Sequence, residues 1–370
     1  MIQTLRLCSV LALSATLVSG LGRPAAAASG IKEEMKEVAK GISSELRELG
    51  KTKVDVKGFE FKGSDSKLQG AAGPGIAQVL AEALQNEKLI VEKGADLMIR
   101  GTYVDVIDSK SKLLAAQIKG ELVDSNDRTI LSFSRGVFGD ESLASLFGAT
   151  TTIKPTDDVK ARSVQLIEAI DNPTVAVEDT RISAKKGDPY HIEVHVLQGG
   201  KYVPRAPTTV DGQAFVKINR DEVYAIKLFN DSAEEASVAV TVDGLSAFTF
   251  SENKDYTQYI VGAKSSFLLK GWHRSNTVSD SFQVMEYSKS AVAQKLPTST
   301  SIGVVTATFS VCFPKDAPPP EDEPPSSTVN KFSRTTADAT GRGPEVKDKF
   351  KEVERIFGVV RTSISVRYTK

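Results

Sequence analysis

The chain has 370 residues, 40% of them hydrophobic and a quarter charged, enough for about two domains with proper cores. Lys plus Arg and Asp plus Glu number 47 each, a balance that excludes any general attraction for nucleic acid or for an acidic membrane surface. Of the two cysteines, Cys8 lies in the leader described next. Cys312 is then the sole thiol of the mature chain, which excludes an internal disulfide.

The first residues have the three parts of a secretory signal: Arg6, an apolar stretch from Leu7 to Leu21, and Ala25 to Ala28 as small residues for cleavage before Ser29 or Gly30. The stretch is shorter than the ~20 residues of a membrane-spanning helix. Residues 1–28 therefore read as a signal peptide. The mature chain is expected in the periplasm or outside the cell, with no transmembrane segment.

Ile31, Met35, Val38, Ile42, Leu46 and Leu49 recur at helical spacing, and Gly50 follows as the stop. A strand comes next, with Val54, Val56, Phe59 and Phe61 alternating around a bulge at Gly58. After the Gly-rich stretch 70–75 a second helix carries Ile76, Val79, Leu80, Ala83 and Leu84. Strands are predicted over 95–107, 113–123 and 129–135, with Asn126-Asp127 as a turn. A closing helix spans 157–170, with Thr156 or Asp157 as N-cap and Val159, Leu166, Ile167 and Ile170 inward. Residues 29–171 thus read as one α/β layer domain.

Beyond Asn172-Pro173 the pattern changes to short alternating runs at 174–178, 189–197, 213–218, 222–230, 236–243, 257–270, 280–286 and 301–313. Turn signals such as Gly199-Gly200 and Asp243-Gly244 separate them, which predicts a mostly antiparallel β-sandwich over 172–370. The Pro-rich run Ala317 to Ser327 predicts an extended, mobile excursion at 314–345, after which 356–368 supplies a last strand. The fold class expected is α+β, an α/β layer domain followed by a sandwich.

Two resemblances accompany this reading. The leading helix, the Val54-Asp55-Val56 strand, the segment GIAQVLAEALQNEKLIV and the segment GADLMIRGTYVDV resemble the N-terminal α/β module of curli-secretion lipoproteins, flagellar outer-membrane assembly proteins and lipoprotein activators of penicillin-binding proteins. That resemblance implies an envelope-facing interaction module with no catalytic residues to carry over. The lipidated cysteine of those families has no counterpart here. Residues 222–313, through YAIKLFNDSAEEASVAVTVDGLSAF, GWHRSN, SDSFQV and SIGVVTATF, resemble an uncharacterised bacterial β-sandwich family, which implies a fold and no activity.

Candidate chemistry is sparse. On a strand His191, Glu193 and His195 share one face and offer metal-ligand types, but a polar face alternating with core Ile192, Val194 and Val196 explains the same residues. No metal or other cofactor is expected. Gly271 to Asn276, set between strands, gathers Trp272, His273 and Arg274, and Asp280 is placed to pair with Arg274. This loop is a binding candidate if Trp272 is a surface anchor and a core element if it is not. Gly70 to Gly75 lacks the Lys and Ser/Thr of a phosphate loop and reads as a flexible lead-in to the helix. No Gly-x-Ser-x-Gly elbow occurs, and any triad has only His191, His195 or His273 to draw on. The expectation is an exported, non-enzymatic envelope protein that contacts another envelope protein or a cell-wall component. The alternatives are a secreted metal-dependent hydrolase and a ligand- or glycan-binding protein.

Overall fold

The computed structural model describes residues 16–17, 30–63, 72–253, 256–285, 303–324 and 342–369. Apart from Thr16–Leu17, residues 1–28, expected to be a signal peptide, lie outside the described residues, as do 325–341 of the expected Pro-rich excursion.

The first unit runs β1 (Thr16–Leu17), α1 (Ile31–Glu48), β2 (Lys53–Phe61), α2 (Gly73–Asn86), β3 (Ile90–Val91), β4 (Met98–Ile107), β5 (Leu114–Val123), β6 (Thr129–Val137), α3 (Asp140–Phe147), β7 (Thr151–Thr152) and α4 (Val159–Asp171). The stripe of α1 is buried at Met35, Val38, Ile42 and Leu46. Glu33 and Glu34 in its first turn and Arg47 in its last complement the helix dipole. Gly50, at φ +63°, ends it as expected: its N–H reaches Arg47 O and that of Lys51 reaches Leu46 O. The sheet order is β1-β6-β5-β4-β2-β3, and β2 loses register against β4 between Val56 and Phe59, where Gly58 sits. Ile99, Tyr103, Ile118, Leu122, Leu131 and Phe133 share one core with the stripes of α1 and α2.

The second unit contains β8 (Ala176–Glu178), β9 (Arg181–Ser183), β10 (Tyr190–Gln198), β11 (Lys201–Pro204), β12 (Thr208–Val210), β13 (Gln213–Lys217), β14 (Val223–Asn230), β15 (Glu235–Val242) and β16 (Leu245–Ser246). It continues through β17 (Tyr259–Val261), β18 (Ser265–Leu269), β19 (Gly271–Ser275), β20 (Val278–Gln283), β21 (Val304–Phe313), β22 (Arg342–Lys347) and β23 (Ile356–Thr369). One sheet follows β19-β20-β14-β10-β9-β8 and the other β12-β13-β23-β21-β15-β16. Pairing is largely antiparallel, with β13 and β23 parallel. Their inner faces form a second core that includes Ile192, Val194, Val238, Val240, Phe309 and Ile364. The expected class, an α/β layer unit followed by a mostly antiparallel sandwich, is what the chain adopts.

Several local expectations differ from what is found. The closing helix is capped by Asp158, whose Oδ1 accepts the N–H groups of Lys160 and Ala161, and Val159 in its first turn faces solvent. The run 257–270 splits into β17 and β18, because Lys264 turns the chain at φ +53°. Residues 271–275 form a strand where a loop between strands was expected. At the described ends of the excursion, 342–347 pair with β20 as β22, and Glu323 is buried under β23.

The two units meet at β23. Thr151 and Thr152 of β7 pair with Ser363 and Thr362. Asp188 Oδ2 accepts the hydroxyls of Thr152 at 2.6 Å and Thr362 at 3.2 Å. Val360 joins the first core. Two glycines in the first turn of α2 allow close backbone approaches, one of them at this junction. A Cβ on Gly75 would lie 2.2 Å from Gly244 O, and one on Gly73 only 1.8 Å from Phe59 O. Gly75 thus lets the backbones of the two units meet, while Gly73 seats α2 on β2 within the first unit. Of the expected flexible lead-in 70–75, residues 73–75 are the start of the helix and 70–71 lie outside the described residues. Among the described residues no helix is long and apolar enough to cross a membrane.

Candidate functional site

On β10 the alternation places Ile192, Val194 and Val196 in the core and His191, Glu193 and His195 together on the opposite face. All three polar residues are nonetheless buried. Glu193 Oε2 lies 2.8 Å from His195 Nε2, and its Oε1 accepts the Thr180 hydroxyl at 2.7 Å. His191 turns instead toward Asp231, 3.5 Å away. Burial holds its imidazole below the usual range, and Asp231 only partly offsets this. Across the strand pair, Phe229 and Lys227 stand opposite His191 and Glu193. The Arg181 guanidinium and the Lys227 ammonium lie 4.3 and 4.7 Å from the centre of the Phe229 ring. Shared orientation therefore does not become shared coordination. The carboxylate is taken by a hydroxyl and one imidazole, the other imidazole faces elsewhere, and two cations stand beside them. Among the described residues no group of three His, Cys, Asp or Glu is arranged to hold a metal.

The Gly271–Asn276 segment has a different environment. Strand β19 pairs with β20 on one edge, while the loop after β16 closes the other edge. There the His273 N–H donates to Ala247 O, and the Glu252 N–H donates to Arg274 O. Trp272 is 1% exposed, its ring edge-on to Phe250 at 5.8 Å and to Phe282 at 4.9 Å. His273 is packed among Phe248, Tyr256 and Phe350, with Nδ1 3.1 Å from Ser251 Oγ. Burial pushes its pKa down to about 4. Arg274 does reach Asp280, at 3.3 Å, and also Glu345 of β22 at 3.4 Å. The four residues are thus brought together, but Trp272 lies in the core with its ring closed to solvent. Arg274, half-buried, is the member at the surface.

Sequence reasoning passed over the outer face of the first sheet. Along the middle of β4, β5 and β6 the residues that alternate with the buried ones are exposed or half-exposed, among them Arg100, Lys119, Glu121 and Ser132, while Ala115 and Val123 at the ends of β5 are covered. Arg100 bridges Glu121 and Asp127, each at 2.8 Å, and Thr129 donates to Glu121 Oε2 at 2.8 Å. The Arg100 guanidinium and the Thr129 hydroxyl hold the Glu121 carboxyl below its ordinary range. The signal for this face was the polar half of each strand's alternation, legible in Arg100-Gly101-Thr102 and Lys119-Gly120-Glu121.

Comparison with known proteins gives a weak structural similarity over part of the chain. No protein-family model matches it, and no curated protein matches it. Among solved structures it is similar to the LpoB C-terminal domain from Salmonella enterica, at 13% identity and a TM-score of 0.22, covering 28% of this chain and 94% of that one. At that score the two are too far apart for function to be carried across.

Proposed function

We propose that this chain is an exported, non-enzymatic envelope protein whose 29–171 unit, after removal of a 1–28 signal peptide, docks on another envelope protein or a cell-wall component. Residues 172–370 would form the sandwich that holds this unit in place. The observation that carries the reading is the outer face of the first sheet. Its mixed, hydrogen-bonded charges, Arg100 with Glu121 and Asp127 beside exposed Lys119 and Ser132, suit a polar contact with a folded partner. The leader supports export. The envelope setting follows from it and from the sequence resemblance of the first unit.

The test is in-cell photocrosslinking in the native host, with the crosslinker at Lys119, at Ser132 or, as a control, at exposed Val210 of the sandwich. The expected result is one reproducible envelope product from the first two positions and none from the third. Protein free in the exported fraction, with no specific product, would remove the adaptor reading and return attention to a secreted binding protein or enzyme.

A further inference from the structure

The last strand carries two irregularities close together. Opposite β21, Phe309 faces Thr362 and Ser310 faces Val360, so Arg361 is bulged out, and register slips again before Cys312 meets Phe357. Into this bulge comes the acidic end of the Pro-rich segment. Glu323 Oε1 accepts the Val359 N–H at 2.8 Å, and its Oε2 accepts Arg361 Nη2 at 2.8 Å. Asp322 takes the two Nη groups of the same guanidinium at 2.6 and 3.1 Å. The Glu323 side chain is fully buried and that of Arg361 is 9% exposed. Among the described residues Arg361 Nε is buried with no hydrogen-bond partner, so the hook leaves one donor of the guanidinium unused. Gly358 lines it: a Cβ there would lie 2.4 Å from Glu323 Oε2.

A planar guanidinium beside a backbone N–H that points into the same bulge is a carboxylate-reading arrangement. We propose that the β23 bulge is a carboxylate-binding site whose resident ligand is the chain's own Asp322–Glu323, and that this acidic hook is a releasable clasp on the junction between the two units. Two observations give it that role. Arg361 O accepts the Ile153 N–H at 2.7 Å, one residue beyond β7, so the bulged residue holds the first unit through its backbone and the hook through its side chain. Within 317–324, the described hydrogen bonds to the rest of the molecule come from Asp322 and Glu323. The backbone bonds of the segment, from Ala317 and Glu323, close on Pro314 and Pro320 just before them. Pro318, Pro319 and Pro320 lead into the hook, and the Glu323 N–H closes a turn on Pro320 O, so the segment is locally restrained and loses less entropy on redocking. Withdrawal would leave a buried, uncompensated charge on the strand that joins the units.

The test compares the full chain with Asp322→Ala/Glu323→Ala by hydrogen exchange at the Ile153 amide. The expected result is exchange faster by roughly tenfold, the worth of about one charge-assisted hydrogen bond. Added in trans, a synthetic peptide of residues 317–324 should restore protection. The same peptide with Gln and Asn in place of its three acids should not. Should the double variant fail to fold, Glu323→Gln, which keeps the shape of the side chain, is read by the same exchange and rescue. Unchanged exchange at Ile153, or equal rescue by the neutral peptide, would overturn the proposal. So would a wild-type dimer that dissociates in the double variant, because the hook would then sit on a second copy.

Discussion

Replacing Gly75 with alanine places one methyl group at the seam between the two units. The new Cβ would lie 2.2 Å from Gly244 O and 3.2 Å from Gly244 C, whereas carbon and oxygen without strain stay about 3.3 Å apart or more. Roughly 1 Å of overlap must therefore be relieved, and neither side yields easily. The turn is fixed at Asp243, whose Oδ1 accepts the N–H groups of Gly303 and Val304 and whose Oδ2 accepts the Tyr368 hydroxyl. The start of α2 is fixed by Gly73 pressed against Phe59 O. Overpacking of this kind costs ~1–3 kcal/mol, and alanine regains ~0.5–1 kcal/mol over glycine as a helix former, leaving a net loss of about 1–2 kcal/mol. For units of this size that lowers the melting temperature by about 3–6 °C. Thermal unfolding followed by circular dichroism would measure it, with Gly262→Ala as control, where the nearest atom to the added Cβ is 3.8 Å away. A Gly75→Ala protein that melts at or above the wild-type temperature would refute the close-approach argument.

His273 carries the clearest pH dependence. Its folded pKa of about 4 lies below the ordinary 6.5, so the unfolded chain takes up the proton first. Stability is therefore full above the ordinary value and falls as pH drops from about 6.5 toward about 4. His191, lowered in the same direction, adds to the slope. Glu121 and Glu222, held low by their Arg partners, begin to lose their contribution only below their ordinary 4.5. Urea unfolding of His273→Phe between about pH 7 and about pH 4.5 should show a shallower slope than wild type, and an identical slope would sink the assignment. Cys312 is buried, and burial pushes its thiol up to about 12. It should resist a thiol reagent in the native protein and react fully in denaturant, and native modification at the rate of a free thiol would contradict that placement.

How much was legible depended on range along the chain. The stripe of α1 up to Leu46 and its Gly50 stop, the bulge at Gly58, and the alternation of Val238, Val240 and Val242 are local patterns, and each is where the sequence puts it. Leu49, expected to end the stripe, is the exposed C-cap instead. Helix α3 escaped notice because eight residues hold barely two turns, although Gly139 and Gly148 bracket it. The N-cap of α4 was ambiguous because Thr156, Asp157 and Asp158 stand in a row and only geometry chooses among them. At the candidate sites, alternation did put His191, Glu193 and His195 on one face. It could not reveal that Thr180, Asp231, Arg181 and Lys227 would surround them. Trp272 was undecidable because burial depends on a cover arriving from 247–252. The Arg361 cradle was invisible for the same reason, since nothing near it in sequence announces Glu323.

The junction on β23 also has a temporal side. Thr150 exchanges hydrogen bonds with Ser365 across 215 residues of chain, and Asp188 meets Thr362 across 174. Contacts of such separation are slow to form, because a long loop must close before any of them is gained. Strand β23 is synthesised after β7, β13 and β21, the three strands it joins. Until it arrives, β21 and β13 keep unpaired edges, the kind of surface on which nascent chains aggregate. A chain that crosses a membrane before folding would emerge on the far side with those edges open, so its yield there should depend on holding them apart until the last strand closes the sheet.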